Sequence, residues 1–97
     1  LVYLRIEADA DRPPAQMMVS VPKRCFKRAV KRNRVKRQVR EAYRKNKHIL
    51  YDAVKEHEGT ALALAFIWLD DKLWDTPKVE RKVVNLMQRL AEKLNSR

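Results

Sequence analysis

The chain reads as an α+β protein, a small α-β sandwich with helices packed on a mostly antiparallel sheet, in the order β-β-α-β-α. Three observations lead there. Short alternating segments stand at the N-terminal end, a long amphipathic cationic segment follows, and an uncharged apolar run then precedes a second amphipathic segment. At 97 residues, with 45% hydrophobic residues, residues 1–97 are expected to form one domain around a modest core.

Leu1 to Ala8 alternates, with Val2, Leu4 and Ile6 to one side and Tyr3, Arg5 and Glu7 to the other, as in a half-buried strand. Asp9 to Ala15 holds a Pro-Pro pair and reads as a connection. Gln16 to Val21 reads as a second strand, stopped by Pro22, and the two strands suggest a hairpin. From about Lys27 to Lys45 nothing breaks a helix. Val35, Val39, Ala42 and Tyr43 fall on one arc, and Asn33, Lys36, Arg37, Arg40 and Arg44 on the opposite one. Asn46 is placed to interrupt that helix. Ile49, Leu50, Ala53 and Val54 continue the pattern to about His57, and Gly59 is placed to close it.

Ala61 to Leu69 carries no charge, which predicts a strand buried on both faces. Asp70 to Asp75 is a turn, with Trp74 set to close one end of the core. Thr76-Pro77 predicts a helix start, a capping hydroxyl before a first-turn proline. Val79, Val83, Leu86, Leu90 and Leu94 mark one face of that last helix. The first residue is Leu1, on an apolar alternation, which suggests that an N-terminal part precedes it.

The net charge is +11, and its distribution says more than its size. Lys23 to Lys47 holds 13 Lys or Arg and one acid, Glu41; the rest of the chain is close to neutral. Like charges so concentrated repel one another unless a partner anion neutralises them, so the segment points to a nucleic acid. Strands flanking the cationic helix favour RNA over DNA, because a sheet face can stack unpaired bases; Tyr3 is a candidate. DNA is not expected as a partner. No uncharged run approaches the roughly 20 residues of a membrane span, and no membrane partner is expected. The single Cys25 cannot form an internal disulfide, and a reducing, cytoplasmic setting fits.

Protein-borne catalysis finds little support. His48 and His57 stand among charged residues with no partnered nucleophile, and one cysteine with two histidines matches no zinc pattern. Asp70, Asp71 and Asp75 suit a solvated acidic turn better than a cation site. No catalytic and no metal-binding residue is assigned.

The run from Ala29 to Arg44 reads Ala-Val, one residue, Arg32-Asn33-Arg34, one residue, Lys36-Arg37, two residues, then Arg40-Glu41-Ala42 and the aromatic Tyr43. It resembles the signature of the ribonuclease P protein family. Upstream, Val21-Pro22-Lys23-Arg24 looks like the family's strand end. Cys25-Phe26-Lys27-Arg28 departs from the family, which commonly has a glycine there. The family also begins with a helix ahead of its first strand, absent from this chain.

The resemblance implies an α-β sandwich with a left-handed βαβ crossover that joins two parallel strands and carries the basic helix. It implies a subunit of ribonuclease P, a nuclease and hydrolase that is also a ribonucleoprotein. In that particle the RNA carries the catalysis, with Mg2+ held mainly by that RNA, and the protein alone is inactive. The partners implied are ribonuclease P RNA and precursor tRNA, in tRNA processing at the 5′ end. Position by position, Arg32, Asn33, Arg34, Lys36, Arg37, Arg40 and Arg44 would face RNA. Tyr3, Ser20, Lys23 and Arg24 would line a cleft for the 5′ leader. The alternatives are a ribosomal-type structural RNA-binding protein, a nuclease acting alone and a DNA-binding regulator.

Overall fold

A computed structural model describes residues 2–7, 15–55 and 60–95, with side chains over 15–55 and 61–94. The elements follow in the order β1 (Val2–Glu7), β2 (Ala15–Ser20), α1 (Ala29–Asn46), α2 (His48–Lys55), β3 (Thr60–Ile67) and α3 (Thr76–Asn95). The expected order β-β-α-β-α therefore holds, with the long helical stretch split in two. Gly59 and His57 lie outside the described residues.

The sheet corrects one expectation. β1 and β2 do not form a hairpin; the strand order is β1-β3-β2, with β3 in the middle. β1 runs antiparallel to β3, pairing Tyr3 with Leu64 and Arg5 with Leu62. β2 runs parallel to β3, pairing Ala15 with Leu62 and Val19 with Phe66. The sheet is thus mixed, one pairing of each kind, and α1 and α2 form the connection between the parallel strands. The physical reason lies in β3. It is the most apolar segment of the chain, and a central strand satisfies its backbone on both edges while edge positions fall to the more polar strands. The seven residues between β1 and β2 can reach about 23 Å, more than the roughly 10 Å across two strand spacings.

From Leu62 onward burial on β3 follows a period of two; Ala61, before it, is buried as well. Leu62, Leu64 and Phe66 lie under the helices at 0–5% exposure, whereas Ala63 and Ala65 are half-buried and Ile67 is exposed. The strand expected to be buried on both faces is therefore covered on one; on the other it lowers its exposed apolar area by using alanine. β2 shows the same alternation, with Ala15 and Val19 buried and Gln16 and Met18 exposed.

The helices lay their apolar stripes on the covered face. α1 buries Val35, Val39, Ala42 and Tyr43, as the periodicity predicts, and also Gln38. Tyr43 meets Phe66 edge-on at 6.4 Å between centroids, and its hydroxyl donates to the Ala15 carbonyl at 3.4 Å. The break falls at Asn46, whose Nδ2 donates to the Ala42 carbonyl at 2.8 Å, a side-chain bond back to residue i−4 that competes with the backbone ladder.

α3 contributes Val79, Val83, Met87, Leu90 and Leu94 to the core, with Leu86 packed at its margin. Its start differs from the expected cap. Asp75, not Thr76, receives the orphan N–H of Lys78 at 2.8 Å, and its carbonyl accepts from Val79 N at 3.1 Å. Thr76 Oγ1 is free for another role, taken up below.

Candidate nucleic-acid interface

The sequence-predicted site residues divide by what the fold does with them. At 100° per residue, Asn33, Arg37, Arg40 and Arg44 form one ridge on the side of α1 away from the core, spaced 4, 3 and 4 residues apart. All four are exposed. Arg34 is exposed on one shoulder of the ridge, and Lys36 is half-buried on the other. The ridge spans about 16 Å along the axis at 1.5 Å per residue, room for a few successive phosphates.

Two of the arginines already have partners. Arg44 Nε donates to Glu41 Oε2 at 3.0 Å, the pair i, i+3 on the helix surface. That hydrogen bond holds the Glu41 carboxyl below the usual carboxylate range and raises the Arg44 guanidinium. Arg32 Nη1 donates to the carbonyls of Phe26 at 2.8 Å and Lys27 at 2.9 Å. Arg32 therefore ties down the loop entering α1, a role invisible in its motif. Among the described residues, no carboxylate lies within 4 Å of Arg34, Lys36, Arg37 or Arg40.

The N-terminus of α1 adds to the positive field. Arg28 is its N-cap residue without a side-chain cap, and no acid stands in the first turn. Unpaired N–H groups, the positive end of the helix dipole and Lys27, Arg28 and Lys31 all meet there. A bound anion relieves all three.

Lys23 and Arg24 are exposed in a turn closed by Cys25 N donating to the Pro22 carbonyl at 3.0 Å. Cys25 and Phe26 anchor that turn in the core, and Cys25 Sγ reaches the Trp68 carbonyl at 3.6 Å. These two apolar anchors stand where the sequence departs from the glycine of the pattern it resembles. Ser20 is half-buried on the open face of β2, beside the exposed Met18. α1 packs on the other face, so the sheet lies between Ser20 and α1, with Lys23 and Arg24 at the bend that joins them. Tyr3 pairs with Leu64 and Ser20 with Ile67, so the two stand in rows of opposite parity. The Tyr3 side chain lies outside the described residues.

The residue that sequence reasoning missed is Gln38. It is 9% exposed, and its Nε2 donates to the Trp74 carbonyl at 3.1 Å and to Thr76 Oγ1 at 3.2 Å. It locks α1 to the start of α3 and so sets the rotation of α1 about its axis, which aims the ridge. Its position among Val35, Val39 and Ala42 on the helical wheel was the available signal.

The acidic turn is occupied by its own chain. Asp70 Oδ2 accepts from Trp74 Nε1 at 2.8 Å and Oδ1 from Lys72 N at 3.2 Å; the Trp74 bond, first, holds the carboxyl low. Trp74 meets Trp68 edge-on at 5.1 Å. Beneath them lies a largely apolar cavity of about 270 Å³, lined among others by Phe66, Trp68, Val83 and Leu86, on a different part of the surface from the ridge. Among the described residues, no three His, Cys, Asp or Glu side chains group where a metal ion could be held.

Fold and charge together define a small α+β protein whose principal helix is built to meet a polyanion. The family model described as Ribonuclease P matches residues 1–91. Two curated proteins named ribonuclease P protein component, from two strains of Porphyromonas gingivalis, are 46% identical over 93% of this chain and 51% identical over 79% of it. A third of the same name, from Chlorobaculum tepidum, is 36% identical over 91% of the chain. The chain belongs to the ribonuclease P family. It spans 56–65% of the length of these relatives. No solved structure matches it significantly.

Proposed function

We propose that this chain, folded as one domain, is the protein subunit of ribonuclease P, acting in the cytoplasm on precursor tRNA in complex with the RNA subunit. The observation that carries the reading is the ridge Asn33–Arg37–Arg40–Arg44 on a helix of the matching family. The ridge, with Arg32, Arg34 and Lys36 at its margins, docks on the RNA subunit. Arginine suits the task because its planar guanidinium grips a phosphate by two hydrogen bonds. Asn33 adds a group that both donates and accepts.

The 5′ leader of the precursor is proposed to run by the Lys23–Arg24 turn and on to the open sheet face beyond Ser20; Tyr3, in the row of opposite parity, is not part of that path. The alanines of β3 leave that face shallow enough for a base to approach. Mg2+, held mainly by the RNA subunit, would supply the chemistry by activating water, and no residue of this chain is assigned to hold it. The protein supplies charge and position.

Reconstitution tests this reading. The full chain with a bacterial ribonuclease P RNA should cleave precursor tRNA at magnesium levels where the RNA alone is slow, and the protein alone should be inert. Cleavage by RNA-free protein would overturn the division of labour. A ribosomal-type brace would bind RNA without accelerating cleavage.

A further inference from the structure

The ridge on α1 lies within the cationic segment 23–47, yet α3 carries a second line with the same spacing. Lys78, Lys82, Asn85 and Arg89 stand 4, 3 and 4 residues apart, as Asn33, Arg37, Arg40 and Arg44 do, and Lys93 extends the line by one more turn. Each line holds one asparagine and three cations over about 16 Å of helix. All five α3 residues are exposed. Among the described residues none of the cations has a carboxylate within 4 Å. Lys78 Nζ sits 4.3 Å from the centre of the Trp74 ring, which holds the first charge of the line in place.

α3 holds two acids: Glu92, exposed, flanks the line three residues after Arg89, and Glu80 lies off it. Glu80 faces α1, where it meets Lys45 Nζ at 3.9 Å and Asn46 Nδ2 at 3.5 Å. Lys82 is two residues on, about 160° around the helix from Glu80. The α3 line therefore points away from α1, and the α1 ridge points away from α3, since Gln38 and Lys45 occupy the side of α1 that meets α3. The helix pair thus presents two predominantly cationic lines on separate outer flanks.

We infer that the α3 line Lys78–Lys82–Asn85–Arg89–Lys93 is a second RNA contact, which takes phosphates of a separate segment of the same RNA that α1 docks on. The inference rests on the reading of α1 above. One RNA serves both lines because α1 and α3 are packed neighbours, with axes about 8–10 Å apart. A folded RNA is wide enough to hold the pair from both flanks. Binding then clamps the two helices against each other, with Gln38 as the pin between them.

The test is directed hydroxyl-radical cleavage in the reconstituted particle, with the full chain, the RNA subunit and precursor tRNA. An iron chelate is tethered at Asn85→Cys for α3 or at Glu41→Cys for α1; Cys25 is buried and stays in place, with reagent-treated unsubstituted protein as control. Cleavage of the RNA subunit from Asn85→Cys, at nucleotides not cut from Glu41→Cys, is expected. In parallel, Lys82→Gln with Arg89→Gln should flatten the salt dependence of RNA binding by about 1.4–1.8 in slope. No cleavage from Asn85→Cys beside strong cleavage from Glu41→Cys would overturn the second contact and leave the α1 reading standing. Cleavage from Asn85→Cys confined to precursor tRNA would overturn the assignment to the same RNA. Absence of cleavage from both positions would take down the α1 reading and this inference with it.

Discussion

Arg37 and Arg40 offer the cleanest measure of how α1 binds. Both are exposed on the ridge, and neither is committed to a carboxylate among the described residues. Arg32 and Arg44 are poorer choices, since one holds the loop before the helix and the other holds Glu41. If each of the two free arginines neutralises one phosphate, the double variant Arg37→Ala, Arg40→Ala loses about 1.4–1.8 from the slope of log affinity against log salt, at about 0.7–0.9 per phosphate. A fourfold rise in salt covers about 0.6 log unit. The fall in affinity over that range should then be roughly 7- to 12-fold smaller in the variant than in the unsubstituted protein. Arg44→Ala alone should change the slope by less than one phosphate's worth, because release of Glu41 competes with loss of the contact. The assay is filter or fluorescence titration of the RNA subunit at several salt concentrations, with circular dichroism to confirm that the helix persists. An unchanged slope in the double variant would mean that the ridge faces solvent, and the functional reading of α1 would fail.

Three other perturbations follow from the geometry. Gln38→Ala leaves the Trp74 carbonyl without its donor and should lower stability by about 1–3 kcal/mol in denaturant titration; it should also weaken RNA binding more than Gln38→Leu, which keeps the side-chain volume that spaces α1 from α3. Burial, followed by the neighbouring Tyr51, pushes the Tyr43 phenol up to about 12. Its folded value thus lies above the unfolded value of about 10, so its contribution is intact below pH 10 and is lost as pH rises through 12; Tyr43→Phe should flatten the loss of stability over that window. Lys23→Ala with Arg24→Ala should weaken binding of precursor tRNA but not of mature tRNA by the reconstituted particle; equal losses for both would remove the turn from the leader path.

The elements whose signal is local were legible in the sequence. α1 and α3 follow from periodicity, since Val35, Val39, Val79 and Leu90 repeat at helical spacing and are all buried. The ridge residues were legible for the same reason, being the complement of that stripe. The strand order was not legible. Alternation in β1 and β2 says which residues share a face but not which strand lies beside which, and the intervening Pro-Pro segment allows a hairpin or a crossing equally. The half-open face of β3 was hidden because alanine satisfies both a buried and a half-covered position. Gln38 drew no assignment from the sequence. Only the approach of Trp74 and Thr76, some 36 and 38 residues away, makes it a fastener. The cap at Asp75 went unseen because Thr76 before Pro77 is itself an acceptable start.

The central place of β3 has a consequence for how the molecule is made. β1 and β2 touch each other nowhere in the sheet; each pairs only with β3, whose last residue, Ile67, comes 47 positions after Ser20. At about 5–20 residues per second of synthesis, β2 waits roughly 2–9 seconds, and β1 longer, for the partner that joins them. In that interval α1 has already left the ribosome, an element whose contacts are local and which can coil without the sheet. The nascent chain thus offers its cationic helix before it has a core. Under the proposed function, RNA that meets the helix then would hold α1 while the sheet is still incomplete, and folding of the protein would be coupled to that contact.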